Sequence, residues 1–209
     1  MYAITADQVD SRHRPDIART TMRHLTEVVG AGLVLPVDRT AGDEIQLLLE
    51  GADHALAVIL RLTRDGEWSV GCGVGAVNTP LPANAREASG DAFVAAREAV
   101  NDAKKRDTRF AMRTAPDHPA ATPTADAEAL VDLLLQLRGR RSAEGWQMYD
   151  LMATGSSQVD AARRLGISPQ AASKRARSAA LRVESAAIAP LERMLAAVAA
   201  SATQRSTAS

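Results

Sequence analysis

The stretch "SSQVDAARRLGISPQAASKRARSAALR", residues 156–182, carries the signals of two short helices joined by a tight turn. Ser157 and Asp160 have the spacing of a capping box, in which two side chains satisfy the free N–H groups at a helix start. Gly166 predicts the end of the first helix, because glycine adopts a positive φ without steric cost. Ser168 is then the predicted N-cap of a second helix. The sequence therefore predicts helix, short turn, helix.

The two predicted helices have apolar faces of helical spacing. Val159, Ala162 and Leu165 are expected on the inner face of the first helix. Ala172 and Ala176, four residues apart, are expected on the inner face of the second. The opposite face of the second helix is polar and basic, so we expect it to lie in solvent.

A basic helix that follows a tight turn suits the major groove of duplex DNA. Glutamine and serine side chains read base edges, while lysine and arginine hold phosphates. The alternative is a helical hairpin whose basic face is only solvated. The predicted DNA-binding residues are Ser168, Gln170, Ser173, Lys174, Arg175 and Arg177.

Charge is unevenly distributed along a chain of zero net charge. Residues 1–113 carry 14 Lys and Arg against 16 Asp and Glu, and residues 114–140 carry 2 against 4, so each segment has a net charge of −2. Residues 141–209 carry 9 against 5, a net charge of +4. The basic excess in the C-terminal third favours a polyanionic partner for that part.

The segment "TAPDHPAATPTADA", residues 114–127, is rich in Pro, Ala and Thr and has no apolar period. It is therefore a predicted linker. It separates a predicted N-terminal domain, residues 1–113, from a predicted all-α domain, residues 128–209, in which no strand pattern occurs.

The last helical segment, "LRVESAAIAPLERMLAAV", carries an apolar stripe. Pro190 is expected to interrupt any single helix there. The stripe either covers the helical module or pairs two copies of the chain, and a homodimer is expected because helix-turn-helix proteins usually bind DNA as dimers. The stripe consists of Ile188, Leu191, Leu195 and Val198.

Strand and helix patterns alternate before the linker. They follow the order β-α-β-β-α-β, beginning with a strand at residues 2–9, and then add a helix and a short strand. This order predicts an α+β domain of the split βαβ, ferredoxin-like kind, with helices packed on one face of its sheet.

Two acids stand in or beside predicted strands. Asp7 lies in "ITADQVDSR", residues 4–12, and Asp43 lies in "RTAGDEIQLLLE", residues 39–50. Mg²⁺ typically takes one or two carboxylates and completes its shell with substrate phosphates and water. The two acids are therefore candidate metal ligands. The alternative is structural, because aspartate also ends strands and caps turns.

The same two segments resemble the first strand and the hairpin of class III nucleotide cyclases, "F-x-D-I-x-x-S/F" and "K-T-x-G-D-x-x-x-x-x-F". The resemblance implies a palm-like N-terminal domain that binds a purine nucleotide with Mg²⁺. The metal would lie at Asp7 and Asp43, and Arg39 and Gly42 would complete the nucleotide site.

The chain departs from the cyclase pattern at "GDAFVAARE", residues 90–98. Val94 and Glu98 stand where the cyclases have an asparagine and an arginine, and Arg97 is one residue out of register. Electrostatic stabilisation of the transferring phosphoryl group is usually the largest catalytic contribution. Without these donors we expect nucleotide sensing or dimerisation rather than catalysis.

Two further resemblances cover the C-terminal motif and the whole chain. Residues 156–182 resemble the helix-turn-helix of MarR-like proteins and of sigma-factor region four, in which "A-x-x-L-G-I-S-x-x-x-x-S-K" recurs. Nearly the entire chain resembles the SatD-like proteins through "ITADQVDSR" and "GDAFVAAREAVNDAKK". That resemblance implies a cyclase-like domain followed by a helix-turn-helix.

The composition of the chain bears on its cellular compartment and on its classes of partner. A single cysteine, Cys72, excludes an internal disulfide, and we find neither a signal peptide nor an apolar run of membrane-spanning length. We therefore expect a cytoplasmic protein with no membrane partner. The predicted function is DNA-binding transcription regulation. The rival is a nucleotide cyclase or related phosphoryl-transfer enzyme, and a third interpretation makes the N-terminal domain purely structural.

Overall fold

A computed structural model of the protein describes residues 1–40, 42–116 and 118–203. They form an α+β structure with a five-stranded mixed sheet and eight α-helices. No helix within these ranges combines the length and apolarity needed to span a membrane. Asp117 of the predicted linker and residues 204–209 of the predicted all-α domain lie outside the described residues.

The chain forms two compact units. The N-terminal unit comprises Met1–Asp132 and the described residues from Leu191 onward, and the helical unit comprises Leu133–Pro190. The strands are β1 Tyr2–Gln8, β2 Leu33–Arg39, β3 Glu44–Leu49, β4 Trp68–Val74 and β5 Phe110–Arg113. The helices are α1 Ala18–Val29, α2 Ala52–Leu62, α3 Asp91–Ala103, α4 Ala121–Gly139, α5 Ala143–Ala153, α6 Gln158–Leu165, α7 Pro169–Ser178 and α8 Leu181–Thr203.

The strands lie in the order β2-β3-β1-β4-β5. β1 pairs antiparallel with both β3 and β4, and β2 pairs antiparallel with β3. β5 pairs parallel with β4, and α3 connects these two strands along the chain. The predicted alternation of strands and helices, including the last short strand, is confirmed.

Helices cover both faces of the sheet, so the prediction of helices on one face was wrong. α3 packs on one face, where Ala3, Leu48 and Phe93 belong to the same core cluster. α3 lies so close to β4 that a Cβ on Gly73 would come within 2.0 Å of the Ala92 carbonyl oxygen. Every residue of β3 and β4 is buried, as expected for strands covered on both sides.

Residues 121–127 of the predicted linker form the first turns of α4, which corrects the prediction for that segment. Pro123 is compatible with a helix there because the first N–H groups of a helix have no acceptor within it. Thr124 and Ala127 are buried, so this segment packs against the rest of the protein and is not a solvated linker. The boundary between the two compact units falls later, within α4 between Asp132 and Leu133.

α8 continues through Pro190, which corrects the expected interruption. Three members of the apolar stripe, Leu191, Leu195 and Val198, are buried within the N-terminal unit. Burial of the stripe offsets the hydrogen bond that proline cannot donate. The stripe therefore contributes to the core of the N-terminal unit, and neither of its two expected roles applies to these three residues.

The core of the helical unit lies between α5, α6 and α7. It contains Met148, Ala161, Ala162, Ala172, Ala179 and Leu181, with Leu165 and Ala176 packed against them. Small residues allow the short helices to approach closely. Val159 is 60% exposed, so its predicted place on the inner face was wrong. Ala161, two residues further along α6, is buried in this core instead.

Candidate functional site

Local side-chain bonds fix the start of α6. The Ser157 hydroxyl oxygen accepts a hydrogen bond from the Asp160 N–H at 3.1 Å, and the hydroxyl donates to the Asp160 carboxylate at 2.6 Å. The bond from Ser157, and then that from Arg163, hold the pKa of Asp160 below its ordinary value. The predicted helix start at Ser157 is confirmed.

The turn between α6 and α7 also follows the sequence signals. Gly166 adopts φ 64° and ψ 30°, the left-handed conformation that glycine accepts without strain. The Ser168 hydroxyl oxygen then accepts from the Ala171 N–H at 3.2 Å and caps α7, with Pro169 in the first turn. Both helices therefore begin, and α6 ends, where the capping residues predict.

The polar face of α7 lies in solvent. Ala172 is buried and Ala176 partly buried against the core of the helical unit, as predicted. Because these two alanines face the core, the polar face of α7 faces the solvent. Of the predicted DNA-binding residues, four are exposed and two are partly buried: Ser168, Gln170, Lys174 and Arg177 are exposed, and Ser173 and Arg175 are partly buried.

Three further arginines add positive charge to the same segment and were missed in the sequence analysis. Arg163 and Arg164 are exposed on α6, and Arg182 is exposed on α8. Residues 156–182 hold six Lys and Arg but only one acid, Asp160. The count alone could have shown that the basic surface extends beyond α7.

A groove of about 690 Å³ lies beside the C-terminal end of α7. Among the described residues, its charged lining residues are Arg177 and Arg182, and none is acidic. Its apolar lining includes Met152, Leu181 and Val183. The electrostatic character of this side of α7 is therefore positive.

Two other arginines of the helical unit are buried and hold its helices together. Arg138 and Arg141 both donate to the Glu184 carboxylate. Arg141 also donates from Nε to the Ala179 carbonyl oxygen at 3.1 Å, immediately after α7. Its guanidinium carbon lies 4.4 Å from the ring centroid of Trp146. Their position in the sequence alone does not distinguish these arginines from the exposed ones.

The predicted metal ligands lie at one edge of the N-terminal unit. Asp7 is within β1, in register with Glu44 of β3, and its carboxylate accepts from Lys104 Nζ at 2.8 Å. Asp43 precedes β3, and its carbonyl oxygen accepts from the Gln8 N–H at 3.4 Å. The fold thus brings the two acid-bearing segments side by side, as expected from the paired strands.

Arg39 and Gly42, the other predicted nucleotide-binding residues, form the hairpin at this edge. Gly42 adopts φ 66° in the turn. Arg39 donates from Nε to the Gly42 carbonyl oxygen at 2.5 Å and from Nη1 to Asp16 at 2.6 Å. The hydrogen bond from Arg39 holds the pKa of Asp16 below its ordinary value.

Glu44 belongs to the same edge and was missed in the sequence analysis. Its carboxylate accepts from Arg97 at 2.9 Å and from the Thr40 hydroxyl at 2.6 Å. Arg97 of α3 and Lys104, the residue that follows α3, thus supply a cation to each of the paired acids Glu44 and Asp7. In the described part of the chain, no group of three or more His, Cys, Asp or Glu side chains is arranged to hold a metal ion.

The residues at the cyclase-like positions of α3 do not join this edge. Val94 is 58% exposed and Glu98 is also exposed. Arg97, one position away from the family's arginine, is the α3 residue that reaches Glu44. The register of α3 therefore decides which of its side chains meets Glu44.

Comparisons of the chain with models of protein families, with curated proteins and with solved structures find no match.

Proposed function

We propose that the helical unit binds duplex DNA as a helix-turn-helix and that the protein is a transcription regulator. The observation that carries the proposal is the solvent-facing basic side of α7, which follows a capped turn and is backed by inward alanines. α7 has ten residues and is about 15 Å long, a length suited to a major groove about 12 Å wide.

The exposed side chains of α7 are suited to two different roles, contact with base edges and contact with phosphates. Gln170 lies in the first turn, the part of a recognition helix that usually reaches base edges. Lys174 and Arg177 lie further along and carry charges suited to phosphates. Arg164 and Arg182 extend the positive surface to the neighbouring helices, where flanking phosphates would lie.

Lys174→Ala tests this proposal. If Lys174 holds a phosphate, the variant binds all duplex sequences more weakly, and the slope of log K against log salt concentration falls by about one unit. The measurement is a fluorescence-anisotropy titration at several salt concentrations, using duplexes selected from genomic fragments. Lys105→Ala, which removes an exposed lysine of the N-terminal unit, is the matched control. An unchanged slope, or the same change in Lys105→Ala, contradicts the assignment.

For the N-terminal unit we propose a ferredoxin-like, palm-like domain that senses a purine nucleotide with Mg²⁺. The strand order β2-β3-β1-β4, with α1 and α2 as connections, supports this assignment because it is the order of a split βαβ sheet. Asp7 and Asp43 would hold the metal, and Arg39 and Gly42 would lie beside the nucleotide. Lys104, released from Asp7, would be available to a phosphate. Regulation requires that the nucleotide favour one state of the protein over another.

Nucleotide binding and catalysis are separated by one pair of measurements. Calorimetry with ATP or GTP and Mg²⁺ is expected to detect binding that Asp7→Ala abolishes, while product analysis detects no turnover. Asp10→Ala, which changes an exposed aspartate near the same strand, is the control. Turnover that depends on Asp7 would favour the rival phosphoryl-transfer enzyme, and the absence of binding heat would favour a structural domain.

A further inference from the structure

The groove of about 690 Å³ beside the C-terminal end of α7 is built within the helical unit alone. Its lining residues come from α5, α6, α7, the turn after α7 and the start of α8, all between positions 152 and 185. Ala180, in the turn, adopts the left-handed conformation with φ 55° and so separates α7 from α8. We call this feature the α7–α8 groove.

The α7–α8 groove has an apolar lining that is continuous with the core of the helical unit. Leu181 is buried, and Met152 and Ala176 are partly buried and pack against the same core. Val183, which also lines the groove, is 61% exposed. Apolar surface that is exposed and bordered by polar residues marks interaction sites. The groove therefore offers an apolar surface to a partner.

The charged side chains of the groove are all positive. Arg177 and Arg182 line it and are exposed, and none of the lining residues that the structure describes is acidic. Neither guanidinium forms an ion pair within the described part of the chain. Complementary charge across an interface favours the right partner and disfavours others. The ligand that suits this groove is therefore both apolar and anionic.

Three other occupants match these features less well. A nucleic-acid backbone would meet the arginines but leave Met152 and Val183 uncovered. A second copy paired by two-fold symmetry, groove to groove, would set arginine against arginine. Small-molecule pockets usually enclose about 70–90% of their ligand, and the exposure of Val183 makes this groove too open for that.

We propose that the α7–α8 groove binds an acidic amphipathic helix of another protein. Such a helix places apolar side chains, three and four residues apart, in a groove of its partner. These side chains would cover Met152 and Val183, and the carboxylates of the helix would meet Arg177 and Arg182. The proposal goes beyond DNA binding, because its occupant is a protein segment and it is tested without DNA.

Peptide selection on the immobilised full chain is the first test. The probe is a displayed library of random peptides of about 16 residues, roughly four helical turns. The enriched peptides are expected to carry Leu, Ile or Phe at steps of three and four residues, together with an excess of Asp and Glu. No enrichment, or enrichment of basic or uncharged peptides, overturns the proposal.

Val183→Glu locates the binding surface. Fluorescence anisotropy with a labelled enriched peptide is expected to show a dissociation constant raised about tenfold, because the variant sets a carboxylate against those of the peptide. Val159→Glu is the matched control and is expected to bind like the wild type. It places the same charge at a valine of α6 that is 60% exposed and does not line the groove. Circular dichroism checks that each variant is folded. Unchanged binding by Val183→Glu, or an equal loss in Val159→Glu, overturns the proposal.

Arg182→Glu tests the contribution of charge. It is expected to weaken peptide binding about tenfold, whereas Arg182→Lys, which keeps the charge, is expected to retain most of it. Equal binding by the two variants would contradict the acidic character of the partner. A change of oligomeric state in Val183→Glu, measured by sedimentation equilibrium, would assign the groove to a second copy and overturn the proposal. The salt dependence of Lys174→Ala still reports on DNA binding separately.

Discussion

The helical unit contains two sets of basic side chains in opposite surroundings. Arg138 and Arg141 have side chains only 5% and 0% exposed, whereas Lys174 and Arg177 lie in solvent on α7. A buried guanidinium must recover its lost hydration from partners, and here it does so from Glu184 and aromatic rings. An exposed one has no such requirement. Positively charged side chains therefore stabilise the fold in one place and are available for binding in the other.

Of the variants that test this comparison, Glu184→Ala is expected to change the free energy of unfolding most. Removing the carboxylate leaves two buried cations without their shared acid, and such losses cost about 3–5 kcal/mol. Urea unfolding followed by circular dichroism measures the change in the free energy of unfolding. Glu144→Ala, which removes an exposed acid of α5, is the control and is expected to cost much less. Equal losses would mean that Glu184 does not organise the buried arginines.

An intermediate effect is expected from Ser168→Ala. The variant removes the acceptor that caps the first turn of α7, and loss of such a cap costs about 1 kcal/mol. Urea unfolding of the full chain measures this loss against Ser178→Ala, which changes an exposed serine at the other end of α7. A cost no greater than that of the control would show that packing of the buried residues, without the Ser168 cap, holds the turn between α6 and α7.

The smallest effect on stability is expected from Lys174→Ala, the variant used above for DNA binding. Because its side chain is exposed, the free energy of unfolding should change by less than about 0.5 kcal/mol. The same protein should show the altered salt dependence of DNA binding. A loss of stability comparable with that of Glu184→Ala would remove the distinction between the two sets of basic residues.

Sequence signals were most informative where the interacting groups are neighbours in the chain. The caps at Ser157 and Ser168 and the turn at Gly166 involve atoms within four residues of one another, so spacing alone predicted them. The order of strands and helices in the N-terminal unit followed from periodicity for the same reason. Val159 shows the limit, because its exposure depends on where the neighbouring helices lie.

Predictions were weaker where distant segments decide the outcome. Pro190 disfavours a helix locally, yet burial of the adjacent stripe keeps α8 continuous. Glu44 lies beside Asp7 because β3 pairs with β1, and it meets Arg97 of α3, which is 53 residues away in the chain. Neither the packing of α8 nor the contact between Glu44 and Arg97 produces a periodic pattern in the sequence.

The sequence by itself determined where α6 begins and ends and where α7 begins, because capping satisfies backbone groups within one turn. It also determined that Ala172 and Ala176 share one face of α7, since helical periodicity is a local property. Only the tertiary structure decided which arginines are buried and which acid meets which cation. Those contacts join residues far apart in the chain, and their energies depend on burial that no single segment specifies.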